Sequence, residues 1–188
     1  IASDMFDKLV KAGLSPQDSV MVEKAQGHAA QVVAAAEAAI AAGELTMEQL
    51  FDRDYREVPG TNPQLYRTGL SDWADANWRP INDAVSSEGR PVIMCSQSDT
   101  NGFLPTHVSE HSRPPTGDLA HDTQHCRNGR IMLYAIDKTA KTQTEPYMMA
   151  VYRQEGDGKN YLVVRNVYVP LVINGRRWGD FELAYSLD

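Results

Sequence analysis

The chain has 188 residues, 42% of them hydrophobic and 23% charged, with a formal net charge of −7. That composition can build one compact core without disulfides or a structural metal. The acidic balance and the lack of a Lys/Arg-rich block argue against a nucleic-acid partner. Ala29 to Ala42 is mostly alanine, includes Gln31 and Glu37, and is too short and too weakly apolar to span a bilayer. No signal-peptide core is visible. Because it begins at Ile1, the chain reads as a piece of a longer protein. Cys95 and Cys126 make no CxxC motif, and two free thiols are stable in a reducing compartment, so a cytoplasmic location is expected.

The first half reads as helical and the second as mainly strand, which predicts an α+β fold. Ser15-Pro16-Gln17-Asp18 starts a helix: Ser15 caps, Pro16 suits the first helical position, and Asp18 favours the positive end. Val33, Ala36 and Ile40 continue it at helical spacing to Gly43. Its alanines allow close packing against another helix, the expected route to a homodimer. Thr46-Met47-Glu48-Gln49 has the spacing of a capping box. After the turn-rich 58–63 connector, Asn62 is expected to cap a helix carrying Tyr66, Leu70, Trp73 and Ala76, interrupted at Pro80.

Beyond Gly89 the period changes to two. Pro91 to Ser98 reads as a strand, and Asn101-Gly102 as a hairpin turn into a second strand, Phe103 to Val108. A short polar helix is expected near Asp118 to Arg130. Three long strands follow, at Tyr147–Arg153, Tyr161–Ile173 and Trp178–Leu187, joined by Gly156-Asp157-Gly158 and by Asn174-Gly175. About five antiparallel strands with helical material after the second is the PAS/Cache order. The reading divides the chain into an N-terminal helical segment, 1–62, and a Cache/PAS-like domain, 63–188.

Several short motifs occur in a telling order. They are Asp99-Thr100-Asn101-Gly102-Phe103-Leu104-Pro105-Thr106-His107, Cys126-Arg127-Asn128-Gly129-Arg130-Ile131, Thr144-Glu145-Pro146, Tyr152-Arg153 and Val172-Ile173-Asn174-Gly175-Arg176-Arg177-Trp178-Gly179. Together they resemble the Cache-like sensory region of proteobacterial methyl-accepting chemotaxis proteins, from about residue 44 onward. The chain departs from that pattern at Met132-Leu133-Tyr134-Ala135-Ile136 and at Arg177. The resemblance implies a sensory domain that binds a small molecule, dimerises, and signals to another module of the same transducer. It also supplies the alternative location, a periplasmic part of an inner-membrane receptor.

A ligand pocket needs polar groups on one sheet face with aromatic walls around them. The candidates are Arg130, Tyr134, Tyr147, Tyr152, Arg153 and Asn166, with Trp73, Trp78 and Arg79 from the covering helix. Strand alternation turns Tyr147 and Tyr152 to opposite faces unless a bulge intervenes. His107 either faces the pocket or anchors its loop. Arg176-Arg177 reads as a solvated strand end, and Trp178 as sheet packing.

His107, His111, His121, His125 and Cys126 offer a second reading, a metal- or haem-dependent redox sensor. On a helix His121 and His125 share one face and could ligate one cation together, with Cys126 next to them. No His-Glu-x-x-His, nucleophile elbow or phosphate loop occurs, so neither an enzyme nor a resident cofactor is expected.

Overall fold

The computed structural model describes residues 14–155 and 161–188, without the side chains of 153–155 and 161. The fold is α+β with antiparallel sheets, as the pattern predicts. Helix α1 (Pro16–Ala41) is followed by a single turn, α2 (Met47–Leu50). A two-stranded ribbon, β1 (Arg56–Glu57) with β2 (Tyr66–Arg67), leads to helices α3 (Ser71–Asn77) and α4 (Arg79–Ser86). Strand β3 (Val92–Asp99) precedes helices α5 (Leu119–His125) and α6 (Ala135–Thr142). The chain closes with β4 (Met148–Glu155), β5 (Tyr161–Ile173) and β6 (Arg176–Tyr185). The main sheet has the order β3-β6-β5-β4.

Local chemistry explains the helix ends. Ser15 Oγ accepts the Asp18 N–H at 3.1 Å, and Thr46 and Gln49 close both halves of their capping box. Asp18 does more than favour a dipole. It is buried, and accepts the Tyr185 hydroxyl at 2.6 Å on the last strand. Met21, Val22, Ala25, Ala29, Val32, Ala36 and Ala39 form one buried helical stripe, which covers β5 and β6.

 The same core takes in Leu50, Leu70, Ala74, Trp78 and Val85, so it runs across residue 62 without a break. Trp78 and Trp178 meet edge-on at 5.0 Å, and their indole N–H groups donate to Val32 O and Leu50 O. The Asn82 and Gln97 carboxamides pair twice (2.9 and 2.6 Å), fastening α4 to β3 within the core.

Three expectations need correction. Tyr66 lies on β2, and the helix begins only at Ser71, because the Tyr66 N–H donates to Gly129 O (2.8 Å) and so holds the segment extended. Asn62 therefore caps no helix there. Phe103–Val108 forms no strand beside β3. The Asn101-Gly102 turn does close, with Gly102 N–H on Asp99 O at 2.9 Å, but the chain then pairs briefly with 129–132 through Phe103 and Leu104. Among the described residues the main sheet thus has four strands where about five were expected. The polar helix is also shorter than expected, stopping at His125. The Gly156-Asp157-Gly158 turn lies outside the described residues. The Asn174-Gly175 turn has positive φ at both residues (49° and 78°), as a tight hairpin requires.

Gly179 on β6 pairs with Asp99 at the end of β3. A Cβ built there would lie 1.9 Å from Ser98 O. Gly179→Ala is therefore expected to lower stability by about 3 kcal/mol, since a backbone atom rather than a flexible side chain must yield. Denaturant unfolding measures this; an unchanged midpoint would mean that the two strands separate freely at this point.

Candidate functional site

Strand register sorts the sheet into two chemically distinct faces. Cys95, Gln97, Val167, Val169, Phe181, Leu183 and Tyr185 point into the core under α1 and α4. The alternate positions form the other face. Across it run the row Met94, Ala184, Asn166, Ala150 and the row Ser96, Glu182, Tyr168, Met148. Helix α6 covers part of this face through Ala140 and Ile136, which pack on Met148, Ala150 and Tyr168.

The cover is held by buried charge. Lys141 Nζ lies 2.8 Å from one Asp180 oxygen and also donates to Ser98 Oγ, while Arg177 reaches the other Asp180 oxygen at 2.6 Å. Arg177 in addition caps α6, donating to Ala140 O and Gln143 O at 2.9 and 3.0 Å. The solvated reading of Arg177 is thus overturned, and Arg176 stacks on the Phe51 ring at 3.9 Å. Trp178 packs the sheet, as expected.

Next to this lock lies a polar group with unmet bonding capacity. Asn166 Nδ2 donates to Glu182 Oε1 at 2.5 Å, and the buried Asn166 Oδ1 has no partner among the described residues. The Tyr168 hydroxyl donates to Asp137 Oδ1 at 3.1 Å. Arg127 extends over the same face to Met94 Sδ at 3.7 Å, and its buried Nε has no partner among the described residues. Burial, then the neighbouring Asp137 charge, pushes the Glu182 carboxyl up to about 7. Burial and then Glu182 raise the Tyr152 hydroxyl, and burial and then Arg130 lower the Arg127 guanidinium.

The predicted site residues do not converge. Asn166 and Tyr152 share the polar face, with Tyr152 44% exposed at its rim. Tyr147 packs on the opposite side against the core, as strand alternation requires. Trp78 is fully buried among core side chains, and Trp73 leans on it at 5.5 Å. Arg79 is committed to Asp75 (2.6 Å), Thr106 and the His107 carbonyl. His107 is buried and its Nδ1 accepts the Val108 N–H at 2.9 Å, so it anchors its loop. Burial, then His111, holds its pKa well below the ordinary histidine value. Arg130 donates to Thr123 O, and Tyr134 is exposed. The Arg153 side chain lies outside the described residues.

The chain matches no family model and no curated protein. What it does must therefore be argued from its own side chains.

Arg127, Asp137 and Glu182 join this candidate site without being among the residues picked from the sequence. Asp180 and Glu182 alternate with Phe181 and Leu183, a period-two acidic pattern inside an apolar strand that marks a polar sheet face. Two surface clefts, of about 650 and 370 Å³, lie away from that face: one beside α2, lined by Arg53, Arg56 and Arg176, and one between α1 and β5.

The raised Glu182 carboxyl gives a signed pH dependence. Folded Glu182 holds its proton more tightly than the unfolded chain, whose carboxyl titrates near 4.5, so its contribution to stability is full below that pH and is lost as pH rises through about 7. Glu182→Gln removes this loss. The variant should match wild type at pH 4 and exceed it by about 2 kcal/mol at pH 8 in denaturant unfolding. A difference that does not change with pH would refute the assignment.

Proposed function

We propose that this chain is the small-molecule-sensing domain of a bacterial chemotaxis transducer, binding its ligand on the polar face of the sheet. The observation that carries the proposal is a pair of buried atoms there, Arg127 Nε and Asn166 Oδ1, that have no partner among the described residues and lie beside Glu182 and Tyr152. Leaving such atoms unpaired costs about 1–3 kcal/mol each. A ligand offering both an acceptor and a donor recovers that energy on binding.

The matching chemistry is a small carboxylate that also bears an ammonium group. Its carboxylate would sit on the Arg127 guanidinium, and its ammonium between Asn166 Oδ1 and Glu182. The ordered motifs from Asp99 to Gly179 and the antiparallel β3-β6-β5-β4 sheet support a Cache/PAS-type module. The proposed role is binding, not catalysis.

Signalling would run from the covering segment 126–142, through the sheet, to α1 on the other face, biasing a two-state transducer. Gly27, Ala30, Ala34 and Ala38 lie exposed along α1 and would let two copies pack closely, which supports a homodimer. The buried free thiols of Cys95 and Cys126 suit a cytoplasmic setting.

Thermal-shift screening against amino acids, organic acids and amines tests the reading. A true ligand at a hundredfold excess over its Kd should raise Tm by roughly 5–10 °C. Arg127→Gln should abolish that rise while melting cooperatively without ligand. A library that leaves wild type unmoved, or a shift that survives in Arg127→Gln, would remove the proposal.

A further inference from the structure

The histidine-rich segment excluded from the sheet face forms a cluster of its own. His111 precedes the loop 112–118, which α5 follows, and the Ser112–Cys126 bridge closes the loop against the end of α5. The Arg113 N–H donates to His125 O (3.0 Å) and the Arg127 N–H to His111 O (2.7 Å), fixing both ends. Asp122 on α5 and Cys126 just past its end stand four residues apart, as do His121 and His125 on the helix, so each pair meets one turn along.

We propose that His121, Asp122 and Cys126 form a binding site for a divalent cation of the zinc type. His121 Nδ1 lies 2.9 Å from Asp122 Oδ1, and Cys126 Sγ lies 3.8 Å from the same oxygen. One ligand atom from each residue falls within 4.8 Å of the others, close enough for the three to share one cation. One nitrogen, one sulfur and one carboxylate oxygen suit a borderline cation such as Zn²⁺ and are poorly suited to Mg²⁺ or Ca²⁺.

The surroundings hold the carboxylate in place. Asp122 accepts the Thr116 and Gly117 N–H groups and the Thr116 hydroxyl, each at 2.9 Å, so its orientation is set before any cation arrives. His125 lies close to His121, the two rings 4.9 Å apart, and its buried Nδ1 has no hydrogen-bond partner among the described residues. His111, stacked on His125 at 6.2 Å, has the same unpartnered Nδ1. Two further ring nitrogens without a partner among the described residues thus lie in the same histidine cluster, outside the trio itself. Binding would release the Cys126 thiol proton to solvent and leave a thiolate on the cation. Because Arg127 follows Cys126 directly, the cation would also stiffen the segment that carries the guanidinium over the sheet. The site does not depend on the sensory reading, since none of its ligands lies on the sheet.

Cobalt(II) titration of tag-free, reduced protein tests the proposal. The expected result is one equivalent bound, with the thiolate-to-cobalt charge-transfer band and the strong visible bands of tetrahedral cobalt, both bleached by added Zn²⁺. Cys126→Ser should lose the charge-transfer band, and Cys95→Ser should keep it. His121→Gln, at a half-buried position, should weaken Zn²⁺ binding at least tenfold with an unchanged far-ultraviolet circular dichroism spectrum. This second variant keeps the test valid should Cys126→Ser fail to fold. Absence of the band in wild type, its survival in Cys126→Ser, or full Zn²⁺ affinity in His121→Gln would each overturn the proposal.

Discussion

The pairing register of β5 with β6 is the constraint on which the rest of the molecule depends. It is set at the Asn174-Gly175 turn, where both residues adopt positive φ, and maintained from Ile173↔Arg176 to Arg165↔Tyr185 with one irregularity beyond Leu171. Side chains on a strand alternate, so a slip of one residue would turn Phe181, Leu183 and Tyr185 outward and Asp180 and Glu182 into the core. The core would lose three of its largest buried side chains and gain two carboxylates. With the register as it stands, α1 has an apolar surface to cover and the opposite face becomes polar.

That polar face is closed by ionic contacts more than by apolar ones. Asp180 is fully buried and is shared by Lys141 and Arg177, and Arg177 also binds the last carbonyls of α6. Buried ion pairs add little net stability over apolar packing, but removing one partner leaves an uncompensated charge. The arrangement therefore specifies where α6 sits more than it strengthens the fold. Beside it, Glu182, Asn166 and Arg127 keep bonding capacity that the lock does not use. A firmly placed cover next to unsatisfied polar atoms is what ligand recognition requires.

The candidate site was only partly legible in the sequence. Asn166 and Tyr152 could be chosen because they fall on strands with clear alternation, and alternation also put Tyr147 on the other side. Trp73, Trp78 and Arg79 lie away from the polar face, and a helix period does not reveal which sheet face the helix covers. Trp78 in fact fills the core between α1 and β6. Arg127 lies within a motif whose backbone turns over the sheet, and no local rule announces where its guanidinium arrives. The histidines show the converse: spacing paired His121 with His125, but only the loop closure at Ser112 and Cys126 brings His111 to them.

By itself the sequence determined the helix caps at Ser15 and Thr46, the Asn174-Gly175 hairpin, and the strands it joins, because these depend on interactions within a few residues. It also determined the α+β class, through the change of hydrophobic period near Gly89. Tertiary structure alone decided that Tyr66 is extended, since its N–H is taken by Gly129 more than sixty positions away. It likewise decided that Phe103–Val108 leaves the sheet, and that Asp180, Lys141 and Arg177 meet. These outcomes rest on long-range pairing of backbone and charge, for which neither propensity nor periodicity carries a signal.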